Sequence, residues 1–562
     1  MLRTIAPRPG LGEGTGVRAD RRAAIRRPLA CVGAYDGAAA GVRTAAAMGQ
    51  RLGGRRHVVV IGAGVGGFSA AARLQHAGFA VTVLEKNAQI GGRLGLIEQA
   101  GYRWDSGPTL LLMSDVYREF FRTFGRRLED ELPLRRLDPN YRIRFGDGRT
   151  LDLTSRIDAL VRDAERFEPG VGPNLLRFLA DASQKYRLGR REFVERGFET
   201  AAEFFSPANA CFLARTGAAA NYWRHVSRYF KSEALRQAFS LQTIYLGLSP
   251  YHAPAVYTLL PYAELVEDGI WFPEGGMYAL ARALERVAVA EGVELRTGVT
   301  VTRIAARGGR VRGVETTAGF VAADVVLANA DLPYTYRHLL PEDAPKDFSA
   351  ERIERFSYTC SAHMLYLGVR GAYPHLLHHN FFLGRDYKRT LDQIFGERRL
   401  PDDPAFYVCV PSVSDPAYAP SGCSSVLVLT PVPAESPRVN WAREGAAFRE
   451  RVLTLLETRA GMSDLRSRID VCRERTPEDW REAYNLHHGA AFGLAHGLRQ
   501  VGWFRPDNRS RALPNLYFVG ASTRPGTGVP LVMIGARLVA ERIAREQGQE
   551  HPSPRTARGG VR

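Results

Sequence analysis

The sequence predicts an α/β protein in which a Rossmann-type parallel sheet is interleaved with a second, mostly antiparallel sheet and a helical insert. The run 58–61 (VVVI) has no polar residue, as expected of a parallel strand buried on both faces, and a glycine-rich turn follows it at once. Residues 155–199 are charged and carry apolar residues at helical spacing, which indicates amphipathic helices. Strand-like runs at 357–366, 405–413 and 424–432 indicate the second sheet.

The glycine-rich turn matches the pattern G-x-G-x-x-G. In this pattern Gly62 allows the tight bend, Gly64 lets a pyrophosphate approach the backbone, and Gly67 lets the next helix lie close to the strand. Gly66 belongs to the same turn, and 68–77 is the predicted helix, whose free N-terminal amides would face the phosphates. The turn is therefore predicted to bind a dinucleotide, and a purely structural glycine turn is the alternative.

An acidic residue follows the second apolar strand, 80–84, at the expected distance from the turn. The carboxylate of Glu85 can accept hydrogen bonds from both hydroxyls of a ribose. The same negative charge would repel a 2′-phosphate, so NADP is disfavoured.

The segment KNAQIGGR, from Lys86 to Arg93, adds a second glycine pair that includes Gly92, and DSGPT follows with Pro108 and Thr109. Together these segments resemble the flavoprotein superfamily of amine oxidases and carotenoid desaturases. The resemblance implies FAD as the cofactor, with Arg93 and the GPT loop close to the flavin and its pyrophosphate. The alternative is a pair of ordinary turns with a surface arginine.

A second cradle is predicted near the end of the chain, where the buried strand 515–519 ends in a glycine-rich loop before a helix at 531–547. Small residues in this loop allow close approach to a flat ring system. The candidate binding residues are Gly520, Gly528, Val529 and Pro530. The resemblance to the flavoprotein superfamily also implies that the backbone at Val301 meets the adenine.

Length and composition limit the class of protein. A chain of 562 residues with 45% hydrophobic and 24% charged residues is typical of a globular protein of two or three units. The six cysteines form no C-x-x-C pair, which argues against a disulfide framework or a zinc site and favours a reducing, cytoplasmic setting. Nucleic acid is not expected as a partner, because no binding motif or tight basic cluster is present in the folded part.

The net charge of +17 is concentrated at the N-terminus, where residues 1–56 hold eleven Arg and three acidic residues. This segment is rich in Ala, Gly and Pro and is predicted to be disordered. It has the composition of a transit peptide, or it is an over-extended gene start with translation beginning at Met48. The chain contains only five Lys, and this preference for Arg fits a GC-rich coding sequence and favours the over-extended start.

No stretch reaches the roughly eighteen apolar residues that a membrane-spanning helix needs. The basic excess can still hold the protein against anionic lipid, so a peripheral membrane association is predicted. Residues 218–262 are rich in aromatic side chains, which form either a core or an exposed lipid-binding face. The resemblance to carotenoid desaturases implies an apolar tunnel to the flavin, and the candidate residues for its lining are Tyr245, Tyr257, Trp271 and Phe272.

Two histidine pairs, His378-His379 and His487-His488, are candidate metal ligands. Neither pair has acidic partners at ligand spacing, so we interpret them as packing or loop residues and predict no metal.

Four further segments resemble the bacterial and fungal phytoene desaturases: WFPEGG at 271–276, 476–494, WFRPDNR at 503–509 and 515–530. The resemblance extends from about residue 57 to residue 546. One departure stands out, because Arg524 replaces the histidine of the usual T-H-P-G motif. The change puts the substrate or the number of reaction steps in question.

The resemblance implies an FAD-dependent desaturase that introduces double bonds into a C40 polyene, or into a related C30 or hydroxylated carotenoid, by hydride transfer to flavin. No nucleophile triad is expected, because the cofactor carries the difficult step. The family's acid and base residues cannot be placed, and the final electron acceptor is oxygen or a quinone. The alternatives are a carotenoid isomerase, ketolase or oxidase on the same scaffold, and a non-catalytic prenyl-lipid carrier.

The predicted division of the chain is discontinuous. A disordered extension (1–55) precedes the folded chain, and a disordered tail (548–562) follows it. The FAD-binding domain comprises 56–140, 270–335 and 505–547; the substrate domain comprises 141–154 and 336–504; and the helical insert, at the membrane and the substrate entrance, comprises 155–269.

Overall fold

The computed structural model describes residues 3–5 and 54–549. Most of the predicted N-terminal extension, the alternative start at Met48 and most of the predicted tail lie outside the described residues. Arg3–Ile5 form a short strand at the edge of the larger sheet, beside Ile469–Arg475.

The strand before the glycine-rich turn belongs to a sheet of five parallel strands. Each is buried or nearly so, except for the edge strand Glu294–Arg296. The spatial order is Glu294–Arg296, Ala80–Leu84, His57–Ile61, Val325–Ala328 and Leu516–Phe518. The structure therefore confirms the predicted α/β class and the strands at 58–61, 80–84 and 515–519.

The parallel sheet is covered on both faces. One face packs against helices Val65–His76, Met277–Ala290 and Val529–Glu546. The first of these helices is rich in Ala and Gly, and its small side chains allow close packing. The other face packs against a three-stranded antiparallel sheet of Val301–Arg307, Arg310–Thr316 and Gly319–Ala322.

The second large sheet of the protein has eight strands. Neighbouring strands run antiparallel, except for His379–Phe382 and Tyr141–Arg144, which run parallel. The spatial order is Arg3–Ile5, Ile469–Arg475, Ser361–Arg370, Cys423–Val432, Phe406–Cys409, His379–Phe382, Tyr141–Arg144 and Thr150–Leu153. Helix Trp441–Thr458 packs against one face, and the other face shares a core with a layer of helices. The sheet is mostly antiparallel, as predicted.

The helical layer occupies 157–267, where amphipathic helices were predicted. It consists of Ile157–Glu165, Gly172–Gly189, Ala201–Phe204, Pro207–Thr216, Tyr222–Val226, Glu233–Ala238 and Leu259–Tyr262, followed by a π turn at Ala263–Glu267. Most aromatic side chains of 218–262 are buried in its core, which is the first of the two alternatives that the sequence left open. Among the described residues, no helix combines the length and apolarity needed to cross a bilayer.

Shorter elements complete the fold. Two-stranded sheets pair Leu96–Gln99 with Tyr102–Asp105 and Leu134–Leu137 with Ile270–Pro273. The remaining helices are Ser114–Thr123, Leu128–Glu131, Leu332–Tyr334, Ala350–Glu354, Tyr387–Asp392, Leu465–Arg468 and Pro477–Tyr484.

The sequence did not predict strand His379–Phe382. Its four residues, HNFF, show no polar-apolar alternation, yet all are buried between two partner strands. The polar side chain of His379 is tolerated there because its Nδ1 lies 2.6 Å from Tyr407 Oη.

Candidate active site

The turn after the first parallel strand has no room for side chains. Gly62 has φ +100°, in the region that favours glycine. A Cβ on Gly67 would lie 2.1 Å from the carbonyl oxygen of Gly62, so only glycine lets the helix begin this close to the strand. A Cβ on Gly66 would lie 2.6 Å from Asn329 Oδ1. The first turn of helix Val65–His76 therefore lies directly on the turn, with its amide groups at the carboxyl edge of the sheet.

Glu85 holds the turn from the end of the neighbouring strand. Its Oε2 accepts a hydrogen bond from the Ala63 amide (2.8 Å), and its Oε1 accepts one from the Asn87 amide (2.9 Å). The carboxylate is buried and lines a cavity. Lys86 also lines the cavity; its Nζ donates to the Glu482 carbonyl (2.9 Å), and burial lowers its pKa.

The two glycine loops meet at Asn329, which follows strand Val325–Ala328. Asn329 Nδ2 donates to the Gly62 carbonyl (3.2 Å). A Cβ on Gly64 would lie 2.9 Å from Nδ2, and a Cβ on Gly520 would lie 3.7 Å from Oδ1. The loop after the first strand and the loop after the last strand therefore lie side by side, at the edge where parallel sheets bind their ligands.

Two buried groups of opposite charge, Arg93 and Asp331, line the cavity next to this meeting point without a direct ion pair between them. Arg93 Nη1 donates to the Ala491 carbonyl (2.8 Å), and Asp331 Oδ1 accepts from Ser522 Oγ (2.5 Å). Burial lowers the pKa of Arg93 and raises the pKa of Asp331, while the attraction between the two charges opposes both shifts.

The GPT loop lies across Arg93. A Cβ on Gly107 would lie 2.6 Å from the Arg93 carbonyl oxygen. Thr109 Oγ1 is 2.7 Å from Tyr407 Oη, which connects the loop to the eight-stranded sheet. Pro108 lies between these two contacts.

A cavity of about 890 Å³ connects both glycine loops with the eight-stranded sheet. It brings together nearly all the candidate nucleotide-binding residues. Those that line it are Gly62, Gly64, Gly66, Glu85, Lys86, Gly92, Arg93, Pro108, Thr109, Val301, Gly520, Gly528, Val529 and Pro530. Gly67 does not line the cavity; it lies where helix Val65–His76 contacts the end of strand His57–Ile61.

The cavity continues into an apolar region. Tyr245 and Tyr257, two of the four tunnel candidates, lie in its wall with Leu260 and Phe381. At its outer end the lining includes four large apolar side chains that are exposed to solvent, which we call the mouth cluster: Phe205 (59%), Leu213 (40%), Leu498 (52%) and Phe504 (55%).

The family described as flavin containing amine oxidoreductase matches residues 65–544. A zeta-carotene-forming phytoene desaturase of Myxococcus xanthus is 47% identical over 507 residues, covering 89% of this chain and 97% of the relative. The chain belongs to the phytoene desaturase family. Within that family, the phytoene desaturase of Neurospora crassa is 39% identical, and the match covers 87% of this chain and 85% of the relative. A 4,4′-diapophytoene desaturase of Staphylococcus haemolyticus is 34% identical, and the match covers 87% of this chain and 99% of the relative.

Solved structures share the fold at low sequence identity. A putrescine oxidase bound to putrescine has a TM-score of 0.59 at 14% identity, covering 87% of this chain and 99% of that one. An oxidoreductase from Methanosarcina mazei has a TM-score of 0.58 at 17% identity, covering 86% and 100%.

The cofactor of this flavin-containing family is FAD, and the cavity has the features that FAD requires. Cβ atoms at Gly64 and Gly66 would crowd Asn329 where a pyrophosphate is expected. Glu85 is held at the end of its strand, where a ribose is expected. The second loop closes on the first, as needed to hold one extended nucleotide.

The other two tunnel candidates, Trp271 and Phe272, are not among the residues that line the cavity. Both belong to strand Ile270–Pro273, which pairs with Leu134–Leu137. The ring of Phe272 packs instead against His378, at a centroid distance of 4.6 Å.

Arg524, which stands where the family usually has histidine, connects two segments at the outer part of the cavity. Its Nη1 donates to the Phe198 carbonyl (2.9 Å), its Nη2 to the Trp503 carbonyl (2.7 Å) and its Nε to the Arg505 carbonyl (3.2 Å). The guanidinium also lies 4.6 Å from the centre of the Trp503 ring. A histidine has too few donors for all of these contacts.

Asn329, Asp331 and Arg505 were not among the residues predicted from the sequence. A signal was present for the first two, because polar residues directly after a buried parallel strand lie at the ligand-binding edge of a sheet. No such signal exists for Arg505, whose contacts are all with backbone carbonyls.

Both histidine pairs lie within reach of other side chains. His378 and His379 are buried next to Cys409, and His487 and His488 lie beside Glu354. His378 Nδ1 is 2.7 Å from Ser414 Oγ. The absence of a metal stays a prediction.

Proposed function

We propose that this chain is an FAD-dependent carotenoid desaturase that introduces double bonds into phytoene or a closely related C30 or C40 polyene. The observation that supports it best is the continuity of one cavity from the two glycine loops to an apolar region with a hydrophobic mouth. A polar amine substrate would not need such a wall. The named functions of the phytoene and diapophytoene desaturase relatives support the same substrate class.

In this proposal the residues of the chain bind and orient the FAD and the polyene. Bound FAD supplies the acceptor for a hydride and its electron pair. The glycine loops, Glu85 and Arg93 hold the nucleotide, and the bond between Thr109 and Tyr407 fixes the GPT loop against the apolar wall. Tyr245, Tyr257 and Phe381 bind the polyene and exclude water. Oxygen or a quinone is the final electron acceptor.

The domain division proposed for this function assigns the parallel sheet to FAD and the eight-stranded sheet to the polyene. The helical layer then forms the entrance and faces the membrane. The mouth cluster is the apolar part of that face, and the exposed residues Arg196, Arg215 and Arg499 lie next to it along the chain. Cationic side chains beside exposed apolar ones are typical of a surface that binds anionic lipid.

We expect the double variant Phe205→Ser/Phe504→Ser to bind anionic liposomes at least about tenfold more weakly, because burying one such side chain contributes about 1.5–3 kcal/mol. Liposome co-sedimentation of the flavin-loaded protein measures the change. Phe320→Ser is the matched control, since Phe320 is equally exposed (56%) but lies on the small antiparallel sheet. Equal losses in the control and the double variant would contradict this membrane face.

Co-expression with a phytoene-producing pathway tests the function. We expect the cells to turn yellow to red, and chromatography to show products with fewer hydrogens than phytoene. An isomerase would leave the hydrogen count unchanged, and a ketolase would add oxygen. A prenyl-lipid carrier would purify without flavin absorbance. Unchanged phytoene beside flavin-loaded protein would rule out phytoene as the substrate.

A further inference from the structure

Two adjacent histidines of the eight-stranded sheet each keep one buried ring nitrogen without a partner. His378 and His379 are 6% and 0% exposed. The Nδ1 of His378 lies 2.7 Å from Ser414 Oγ, and the Nδ1 of His379 lies 2.6 Å from Tyr407 Oη. The Nε2 of each ring is buried and has no hydrogen-bond partner among the described residues. Buried polar atoms are nearly always paired in folded proteins, so these two nitrogens need an explanation.

A cysteine from the neighbouring strand completes a cluster of three donor groups. His379 and Cys409 are directly opposite each other in the paired strands His379–Phe382 and Phe406–Cys409. The two histidine rings lie 4.3 Å apart, measured between their centroids. Each of the three residues places one possible ligand atom within 4.8 Å of those of the other two. Metal bonds of about 2.0 Å to nitrogen and about 2.3 Å to sulfur place the donors of one ion about 3–4 Å apart, so small side-chain movements are enough.

The two imidazoles are in the state that metal binding requires. Burial lowers the pKa of His378 to about 3, and burial together with His378 lowers the pKa of His379. Both rings are therefore neutral at physiological pH. A proton on Nδ1 can be donated to the hydroxyl of Ser414 or Tyr407, which leaves Nε2 with its lone pair free. Histidines that bind metals are oriented in this way by a hydrogen bond at the other ring nitrogen.

We propose that His378, His379 and Cys409 bind one thiophilic cation, Zn²⁺ or Cu(I), through the two Nε2 atoms and the cysteine sulfur. Two imidazoles and a thiolate suit these ions, whereas Mg²⁺ and Ca²⁺ prefer oxygen ligands. A sulfur–metal bond replaces the S–H bond, the proton is released, and no oxidation state changes. The sequence predicts no metal because the histidine pair has no acidic partner at ligand spacing. The third donor is instead a thiol on another strand.

The burial of the cluster limits the charge that it can hold. Burial raises the pKa of the Cys409 thiol, and a bound cation reverses this by stabilising the thiolate. With Cu(I) the ion and the thiolate are neutral together, which keeps the cost of burial low. Zn²⁺ brings one further positive charge, which the carboxylate of Asp105 offsets, since its charge also acts on the Cys409 sulfur.

The cluster lies directly behind the cavity wall. Tyr407 Oη, next to His379, also lies 2.7 Å from Thr109 Oγ1 in the GPT loop. Tyr407 and Thr109 line the cavity, whereas the three ligands do not. An ion on Nε2 keeps the proton of His379 on Nδ1, so Tyr407 accepts from His379 and donates to Thr109. The ion therefore has a structural role, which is to hold the wall beside the GPT loop.

The other histidine pair is a weaker candidate for the same ion. His487 and His488 lie beside Glu354, which supplies a third possible ligand. The carboxylate of Glu354 already forms an ion pair with Arg337, and its side chain is exposed. A cation at this place would have to displace the guanidinium group in contact with water, where an ion pair and a hydrated cation are both already stable.

The test is metal uptake by the flavin-loaded protein. The purified protein is dialysed against Zn²⁺, or against Cu(I) without oxygen, and both elements are then measured. We expect one equivalent of one of these ions per chain. Cys409→Ser keeps the size of the side chain but removes the thiolate, and it should weaken binding at least about a hundredfold. Cys472→Ser is the matched control, because Cys472 is buried in the same sheet but belongs to no ligand cluster among the described residues.

Ser414→Ala is a second variant, which keeps all three ligands. It removes the hydroxyl that orients His378, so we expect binding to weaken about tenfold. The change lies in a loop at the surface of the cluster, so it stays informative if Cys409→Ser folds poorly. Ser412→Ala is its control, because Ser412 lies in the same loop and its hydroxyl makes no hydrogen bond with a described residue. This control should bind the ion as the wild type does.

The outcomes are independent of carotenoid turnover, so the proposed function and this inference can fail separately. A wild type that takes up neither Zn²⁺ nor Cu(I) overturns the inference and leaves water as the partner of the two nitrogens. Equal uptake by the wild type, Cys409→Ser and Ser414→Ala places the ion elsewhere and also overturns it. One equivalent in the wild type and both controls, with the expected losses in Cys409→Ser and Ser414→Ala, supports it.

Discussion

Gly64→Val is expected to abolish FAD retention. A Cβ at this position would already lie 2.9 Å from Asn329 Nδ2, and the two methyl groups of valine extend further into the space where the pyrophosphate is expected. The backbone of Gly64 has φ −81° and ψ 179°, which other residues adopt, so the effect comes from lost space and not from backbone strain. We expect affinity to fall at least about a hundredfold, or roughly 3 kcal/mol. The flavin absorbance per polypeptide of the purified protein measures it.

The control for this variant is Gly396→Val. A Cβ at Gly396 meets no heavy atom within 4 Å, and its φ is not in the left-handed region. This protein should keep its flavin. Normal flavin occupancy in Gly64→Val would show that the glycine turn does not hold the pyrophosphate.

Arg505→Leu should cause the largest loss of stability. Arg505 is 1% exposed and donates to five backbone carbonyls: those of Leu494, Ala495, Gln500, Ala521 and Thr523. Leucine fills part of the volume but leaves these buried carbonyl groups without a hydrogen-bond donor. Each carbonyl that water cannot reach then destabilises the folded protein by about 1–3 kcal/mol. Since such terms are not additive, we expect a loss of about 4 kcal/mol or more.

Thermal unfolding of the flavin-loaded protein measures the effect of Arg505→Leu. Arg499→Leu is the matched control, because Arg499 lies in the same segment but is exposed, and it should change stability by no more than about 0.5 kcal/mol. Arg505→Lys should recover only part of the loss, since an ammonium group has fewer donors and lacks the planar fork. A similar stability for Arg505→Leu and the control would mean that the five contacts are dispensable.

Local patterns predicted the strands, the glycine-rich turn and the helix at one end of the cavity. A β-branched strand, a glycine turn and an acidic residue at the end of the next strand are neighbours both in sequence and in space, so their arrangement is dictated over about thirty residues. The hairpin of Tyr141–Arg144 and Thr150–Leu153 was predicted for the same reason, from its Asp147-Gly148 turn.

The apolar part of the cavity is harder to predict from the sequence, because its wall is assembled from distant segments. Tyr245 and Trp271 were chosen by the same criterion, an aromatic side chain near the middle of the chain. Tyr245 faces the cavity, whereas Trp271 is held in a strand paired with Leu134–Leu137. Aromatic character does not show which side of the wall a residue occupies.

The sequence by itself determined the α/β class, the two glycine loops and the family, since each depends on residue types at fixed local spacing. Only the tertiary structure decided that both loops meet at Asn329, that Arg505 connects the last loop to 494–500, and that Tyr141 donates a hydrogen bond to the buried Glu264. These contacts join residues between 10 and 267 positions apart. They follow from how the sheets and helices pack, and no local pattern records that packing.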